Sequence, residues 1–155
     1  MTALRSLLFL ILAPGMVAGY IPLGLLRRGP QIETGIIGWL AIPLWGVGAL
    51  ILLWSFWNFL KQGGGTPAPI DPPKELVAVG FYRYTRNPMY VGIMLMLIGY
   101  FLWFGYWSLL IYGVFIFLAF NTFVAYYEEP TLRKNFGVAY EDYCKRVPRW
   151  FSIFK

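Results

Sequence analysis

Histidine is missing from all 155 residues, and its absence excludes His-ligated metal centres, Ser-His-Asp triads and Cys-His pairs built within this chain. Cys144 is the one cysteine, so no intrachain disulfide can form, and the residue is read as a small interfacial packing group rather than a nucleophile. Charge is scarce as well, at 13% of residues, with 7 acids against 13 bases. The basic residues fall between and after apolar runs and form no separate soluble face. Nucleic acid is therefore a poor partner, whereas the headgroups of an anionic bilayer are a good one. No metal site is expected.

Apolar and aromatic residues are abundant instead, at 59% and 20% of the chain, a composition that belongs to membrane proteins rather than to a soluble domain of this length. Four stretches offer bilayer-crossing helices, for which about 20 residues are needed. They are Leu7–Leu26, Ile36–Leu60, the marginally short Met89–Trp103, and Trp107–Tyr127. Pro14 and Pro22 in the first are tolerable as kinks if neighbouring helices re-satisfy the backbone. A signal peptide fits less well, because the apolar pattern runs on to Arg27-Arg28 without a convincing cleavage site. Only Phe104-Gly105-Tyr106 separates the last two stretches, which predicts a tight helical hairpin. The expected fold is thus all-α: a polytopic membrane protein with four transmembrane helices, the last two a hairpin, and a C-terminal amphipathic helix.

One unit is expected over residues 1–155, comprising two helices in 1–60, a cytoplasmic connector in 61–88, the hairpin in 89–127 and a cytoplasmic tail in 128–155. All Lys and Arg except Arg27 and Arg28 fall on the side of the N-terminus, the connector and the tail. The positive-inside rule then places both termini, and any site built from connector and tail, at the cytoplasmic face. Trp39, Trp103, Tyr106 and Trp107 stand at helix ends, where an aromatic belt anchors. The tail carries Leu132, Phe136 and Tyr140 at four-residue spacing, an amphipathic pattern interrupted near Gly137. Lying on the leaflet and closing over a site are both open to it.

Polar chemistry gathers at this face. Asn87-Pro88 suits the start of the third helix, Asn as N-cap and Pro at the first helical position. A cap does not require Tyr82, Tyr84 and Tyr90 with Arg83 and Arg86 around it, and such a set could hold a ligand with both a cationic and an anionic group. Glu128 and Glu129, adjacent at a bilayer boundary and near a helix C-terminus, need a cationic partner. Arg83, Arg86, Arg133 or Lys134 could supply it, and so could a ligand.

The segment KELVAVGFYRYTRNPMYVG, followed by YYEEPTLRKNFGVAYEDYCKRVPRW, resembles the isoprenylcysteine carboxyl methyltransferase and phospholipid methyltransferase superfamily of integral membrane enzymes. The likeness covers roughly residues 72–150 and rests on the joint spacing of the R-N-P-x-Y-x-G block, the acid pair, F-G-x-x-Y-x-x-Y and V-P-R. The resemblance implies methyl transfer from S-adenosyl-L-methionine. It puts Lys74, Glu75, Leu76, Val77, Tyr82, Asn87, Pro88, Met89, Tyr90 and Glu128 along the cofactor, with Glu128 or Glu129 as proton acceptor. Members with a prenylcysteine carboxylate substrate resemble one another in an Arg four residues before the cofactor Glu. Here that position is Val124, which removes the clamp for a carboxylate and favours an amine such as a phospholipid headgroup, or another hydrophobic acceptor. Other readings are a carboxyl methyltransferase, a membrane isoprenoid or sterol reductase using NADPH, and a non-catalytic four-helix membrane protein. A small multidrug-type transporter should carry a carboxylate within a span, and the first three stretches contain none.

Overall fold

Proline decides where these helices bend. The computed structural model describes residues 2–62 and 75–151, all of its regular elements being helical. The first apolar stretch is α1 (Thr2–Gly15), a wide π turn over Met16–Tyr20, and α2 (Ile21–Leu25). In the π turn the Ile21 N–H reaches back five residues to the Met16 carbonyl, and Pro22 has no N–H to give. The Val17 carbonyl is left without a helical donor, and the Tyr112 hydroxyl donates to it at 3.0 Å. A side chain from another helix thus closes the gap that proline opens.

The second stretch opens with a 3-10 turn, Gly35–Leu40, and continues as α3 (Ala41–Gln62). Then come a short 3-10 turn at Gly80–Arg83, α4 (Pro88–Phe104) and α5 (Trp107–Phe123). A second π turn, Val124–Glu128, leads into α6 (Glu129–Phe136) and α7 (Val138–Arg146). The amphipathic tail is therefore two short helices rather than one, broken at Gly137, where φ is +51°. Two helical runs, Gly35–Gln62 and Trp107–Phe136, are long and apolar enough to cross a membrane, while Leu10–Leu25 and Pro88–Phe104 are apolar but shorter.

The broadest helix contact is α3 on α4. It is made backbone to backbone: a β-carbon on Gly92 would lie 2.6 Å from the Gly48 carbonyl oxygen, and one on Gly48 would lie 2.7 Å from that of Gly92. Small residues allow this approach where lipid removes the usual hydrophobic drive between helices. Ala18, Leu52, Ile93, Leu97 and Ile116 fill the centre of the bundle. Gly105 ends α4 in the left-handed conformation, φ +69°, its N–H bonded to the Phe101 carbonyl at 2.7 Å. No other residue fits there, because a β-carbon would strike the Ile32 carbonyl oxygen, and the Ile32 N–H in turn donates to Gly105.

Candidate functional site

The tail is tied to the segment ahead of α4 by a set of bonds that the backbone there cannot make for itself. Arg86 N–H donates to the Pro148 carbonyl at 3.0 Å. Thr85 Oγ1 and Asn87 Nδ2 both donate to the Arg149 carbonyl at 2.9 Å. The Tyr143 hydroxyl donates to the Tyr82 carbonyl at 2.7 Å, and Trp150 Nε1 donates to Asn121 Oδ1 on α5 at 3.1 Å. Asn87 stands at the N-cap position of α4 without capping it. The sequence reading gave it the capping role; its amide is instead spent on the tail.

Glu129 is the electrostatic centre of this junction. It is 4% exposed and takes both oxygens' worth of contact from Arg149, Nε to Oε1 at 2.7 Å and Nη2 to Oε2 at 2.9 Å. Arg86 Nη2 lies 3.2 Å from Oε1 and Arg133 Nη1 3.8 Å from Oε2. A carboxylate so deep would be costly alone, and three guanidinium groups offset that cost. The same bonds hold the Arg149 guanidinium firmly charged. Of the partners expected from sequence, Arg86 and Arg133 are present, Arg83 and Lys134 are exposed, and Arg149 was not foreseen.

Glu128 has a different environment. The Tyr90 hydroxyl donates to its Oε1 at 2.5 Å, and Tyr90 is held in turn by stacking on Phe120 with ring centroids 4.4 Å apart. Among the described residues no Lys or Arg pairs with Glu128. The two neighbouring acids are separated by the π turn: the Glu129 N–H reaches five residues back to the Val124 carbonyl, and Pro130 has no N–H to continue the α register. The widened turn presents Glu128 to α4 and Glu129 to the arginines.

Between connector, α3 and tail lies a cavity. Its wall includes Phe59 from α3, Leu76, Val77 and Tyr82 from the connector, and Arg86 and Asn87 ahead of α4. Val124, Glu128 and Glu129 contribute from the π turn and its end, and Leu132, Tyr140 and Tyr143 from the tail helices. Burial pushes the phenols of Tyr82, Tyr140 and Tyr143 up, so all three stay protonated.

Of the residues expected along a cofactor, Leu76, Val77, Tyr82, Asn87 and Glu128 thus line the cavity, and Tyr90 reaches it through Glu128. Pro88 is buried at the helix start, Met89 packs against the apolar centre of the bundle, and Glu75 is exposed. Lys74 lies outside the described residues. Phe59, Leu132, Tyr140 and Tyr143 were not singled out for the site; the four-residue spacing of Leu132, Phe136 and Tyr140 was the available signal. A sequence profile of phospholipid methyltransferases matches residues 36–139, a span that takes in α3, the connector, α4, α5 and the start of α7. No solved structure matches the chain.

Proposed function

Because the chain belongs to the phospholipid methyltransferase family, within the superfamily that also holds the isoprenylcysteine carboxyl methyltransferases, we propose that it methylates a lipid-embedded amine, such as a phospholipid headgroup, from S-adenosyl-L-methionine. The family is one of membrane methyltransferases. The observation that carries the finer reading is the pairing of the acids: Glu129 is fully engaged by arginines, whereas Glu128 faces the cavity with only a tyrosine hydroxyl upon it. A cavity offering a carboxylate free of cations suits a cationic or amine ligand. Val124, 1% exposed, stands in its wall where a carboxylate acceptor would need an arginine.

The chemistry of the wall fits the methyl donor. Aromatic faces from Tyr82, Tyr140 and Tyr143 and the charge of Glu128 suit a sulfonium, and Asn87 offers amide contacts to polar groups. Lys74, Glu75, Leu76, Val77, Pro88, Met89 and Tyr90 complete the proposed cofactor surface. When bound, the cofactor supplies an electrophilic methyl group. Glu128 holds the acceptor nitrogen and takes the proton lost as the ammonium becomes a neutral amine; Tyr90 fixes the carboxylate that receives it. Phe59, Val124 and Leu132 keep water away from that transfer. Glu129 holds the tail in place and is not the proton acceptor.

The same reading makes residues 1–155 one unit with four crossings, the α4 and α5 pair forming the hairpin and both termini and the site cytoplasmic. The test is binding by the purified chain in detergent. S-adenosylhomocysteine should bind saturably, and Glu128→Gln and Tyr90→Phe should weaken it about tenfold or more with little change in thermal melting. Saturable binding of NADPH and none of S-adenosylhomocysteine would overturn the assignment. Expression in a host lacking methylated phospholipids should yield methylated amine headgroups; methyl incorporation into a carboxylate or thiol instead would remove the amine.

A further inference from the structure

Three buried side-chain atoms among the described residues have no hydrogen-bond partner: Ser55 Oγ, Asn58 Nδ2 and Arg86 Nε. Ser55 and Asn58 belong to α3 and lie outside the cavity wall, Asn58 being pressed against Gly80. Arg86 is in the wall. Its side chain is 13% exposed, its Nη2 is on Glu129 and its Nη1 contacts Cys144 Sγ. Both terminal nitrogens thus have a partner, and the remaining nitrogen is shut away from water. A buried N–H left unpaired costs about 1–3 kcal/mol, and the arrangement is sensible where a ligand supplies the missing acceptor.

Arg86 is the only cation in the wall among the described residues, and Glu128 the only carboxylate there without a cation of its own. One wall therefore carries a carboxylate without a cation and a guanidinium with an unspent donor. We infer that Arg86 is a ligand-binding residue, its Nε–H donating to an anionic oxygen of a zwitterionic ligand whose cationic end lies towards Glu128. The inference rests on the methyltransferase reading of the cavity. Both molecules of that reaction have the required chemistry: the amino-acid end of the cofactor carries a carboxylate, and an ethanolamine phospholipid carries a phosphate. Glu129 acts as a positioning residue for Arg86, holding its Nη2 at 3.2 Å while Nε stays unpaired.

The experiment measures affinity by titration calorimetry on the full chain in detergent, with two ligand pairs. The first is S-adenosylhomocysteine against its decarboxylated analogue. The second is a short-chain phosphatidylethanolamine against an alkylamine of similar length without phosphate. Each ligand is titrated into the wild type, Arg86→Lys and the exposed control Arg83→Lys. For one pair, removal of the anion should weaken binding to the wild type and Arg83→Lys about tenfold or more, and leave Arg86→Lys nearly unaffected. A loss in the first pair makes the cofactor carboxylate the partner of Arg86, and a loss in the second makes it the lipid phosphate; either supports the inference. Equal affinity of the wild type within both pairs overturns it, as does a loss of the same size in Arg86→Lys, and the wild-type comparison decides alone if that variant does not fold. If S-adenosylhomocysteine binds normally while neither pair discriminates, only the role of Arg86 fails; absence of any S-adenosylhomocysteine binding removes the methyl-donor site itself.

Discussion

One methyl group separates the seat of α3 on α4 from a steric conflict. A β-carbon on Gly92 would also lie 3.0 Å from the Leu52 nitrogen, so no flexible side chain can yield to it. The overlap must be relieved by moving helices, at a typical overpacking cost of 1–3 kcal/mol. Because Tyr90 is two residues away and Phe59 lies further along α3, that movement also reaches the cavity. Gly92→Ala should lower the melting temperature in detergent and weaken S-adenosylhomocysteine binding. Gly46→Ala has open space around its β-carbon and should melt at or above the wild-type temperature, since glycine within a helix is destabilising by about 0.5–1 kcal/mol relative to alanine. Equal melting of the two variants would mean the glycine contact is unimportant. Sequence made some of this scale readable. Pro88 at the start of α4 and the need of Glu129 for cations could be inferred from local chemistry, whereas the capping role given to Asn87 and a cationic side chain for Glu128 are not met among the described residues. The ion pair of Glu129 with Arg149 could not, because 20 residues of tail separate the partners and only folding brings them together.

Both π turns end two residues before a proline, Met16–Tyr20 before Pro22 and Val124–Glu128 before Pro130. Each is the helix's response to a missing donor, and the second sets the direction of two carboxylates. Pro130→Ala restores an N–H and removes a helix breaker, so stability should be retained or increased. Resumption of α register would turn Glu128 by about 100°, the angle per residue of an α-helix, away from Tyr90. S-adenosylhomocysteine affinity should then drop about tenfold or more while melting does not fall. A variant with wild-type affinity would show that the register does not depend on Pro130. This dissociation of binding from stability separates the π turn from an ordinary packing element. The prolines were visible in the sequence, and so was the interruption at Gly137, but periodicity alone does not reveal a slip of one residue within an apolar run. It also left open whether the tail lies on the leaflet or closes a site; the aromatic pair Tyr140 and Tyr143, buried against Leu76 and the connector, places the tail on the cavity.

At the scale of the whole molecule, α4 is the element that decides the number of crossings. Its 17 residues extend about 26 Å at 1.5 Å each, slightly less than a bilayer core of about 30 Å. Local thinning and the half-exposed aromatic residues Trp103 and Trp107 at its far end make such a span tolerable. If α4 does not cross, Gly35–Gln62 and Trp107–Phe136 still can, but α7 then emerges on the same side as Glu33. If all four helices cross, Glu33 lies opposite both the N-terminus and α7. The sole cysteine makes the two cases separable: in a Cys144→Ser background, single cysteines at Thr2, Glu33 and Val138 are reacted with a membrane-impermeant maleimide in intact cells. Glu33 and Val138 are exposed and neither changes the number of Lys and Arg residues that orient the chain. Four crossings with cytoplasmic termini require labelling of Glu33→Cys alone, with Thr2→Cys and Val138→Cys reacting only after the membrane is opened. Labelling of Val138→Cys together with Glu33→Cys removes α4 as a span, and labelling of Thr2→Cys and Val138→Cys without Glu33→Cys reverses the orientation and moves the cavity to the other face.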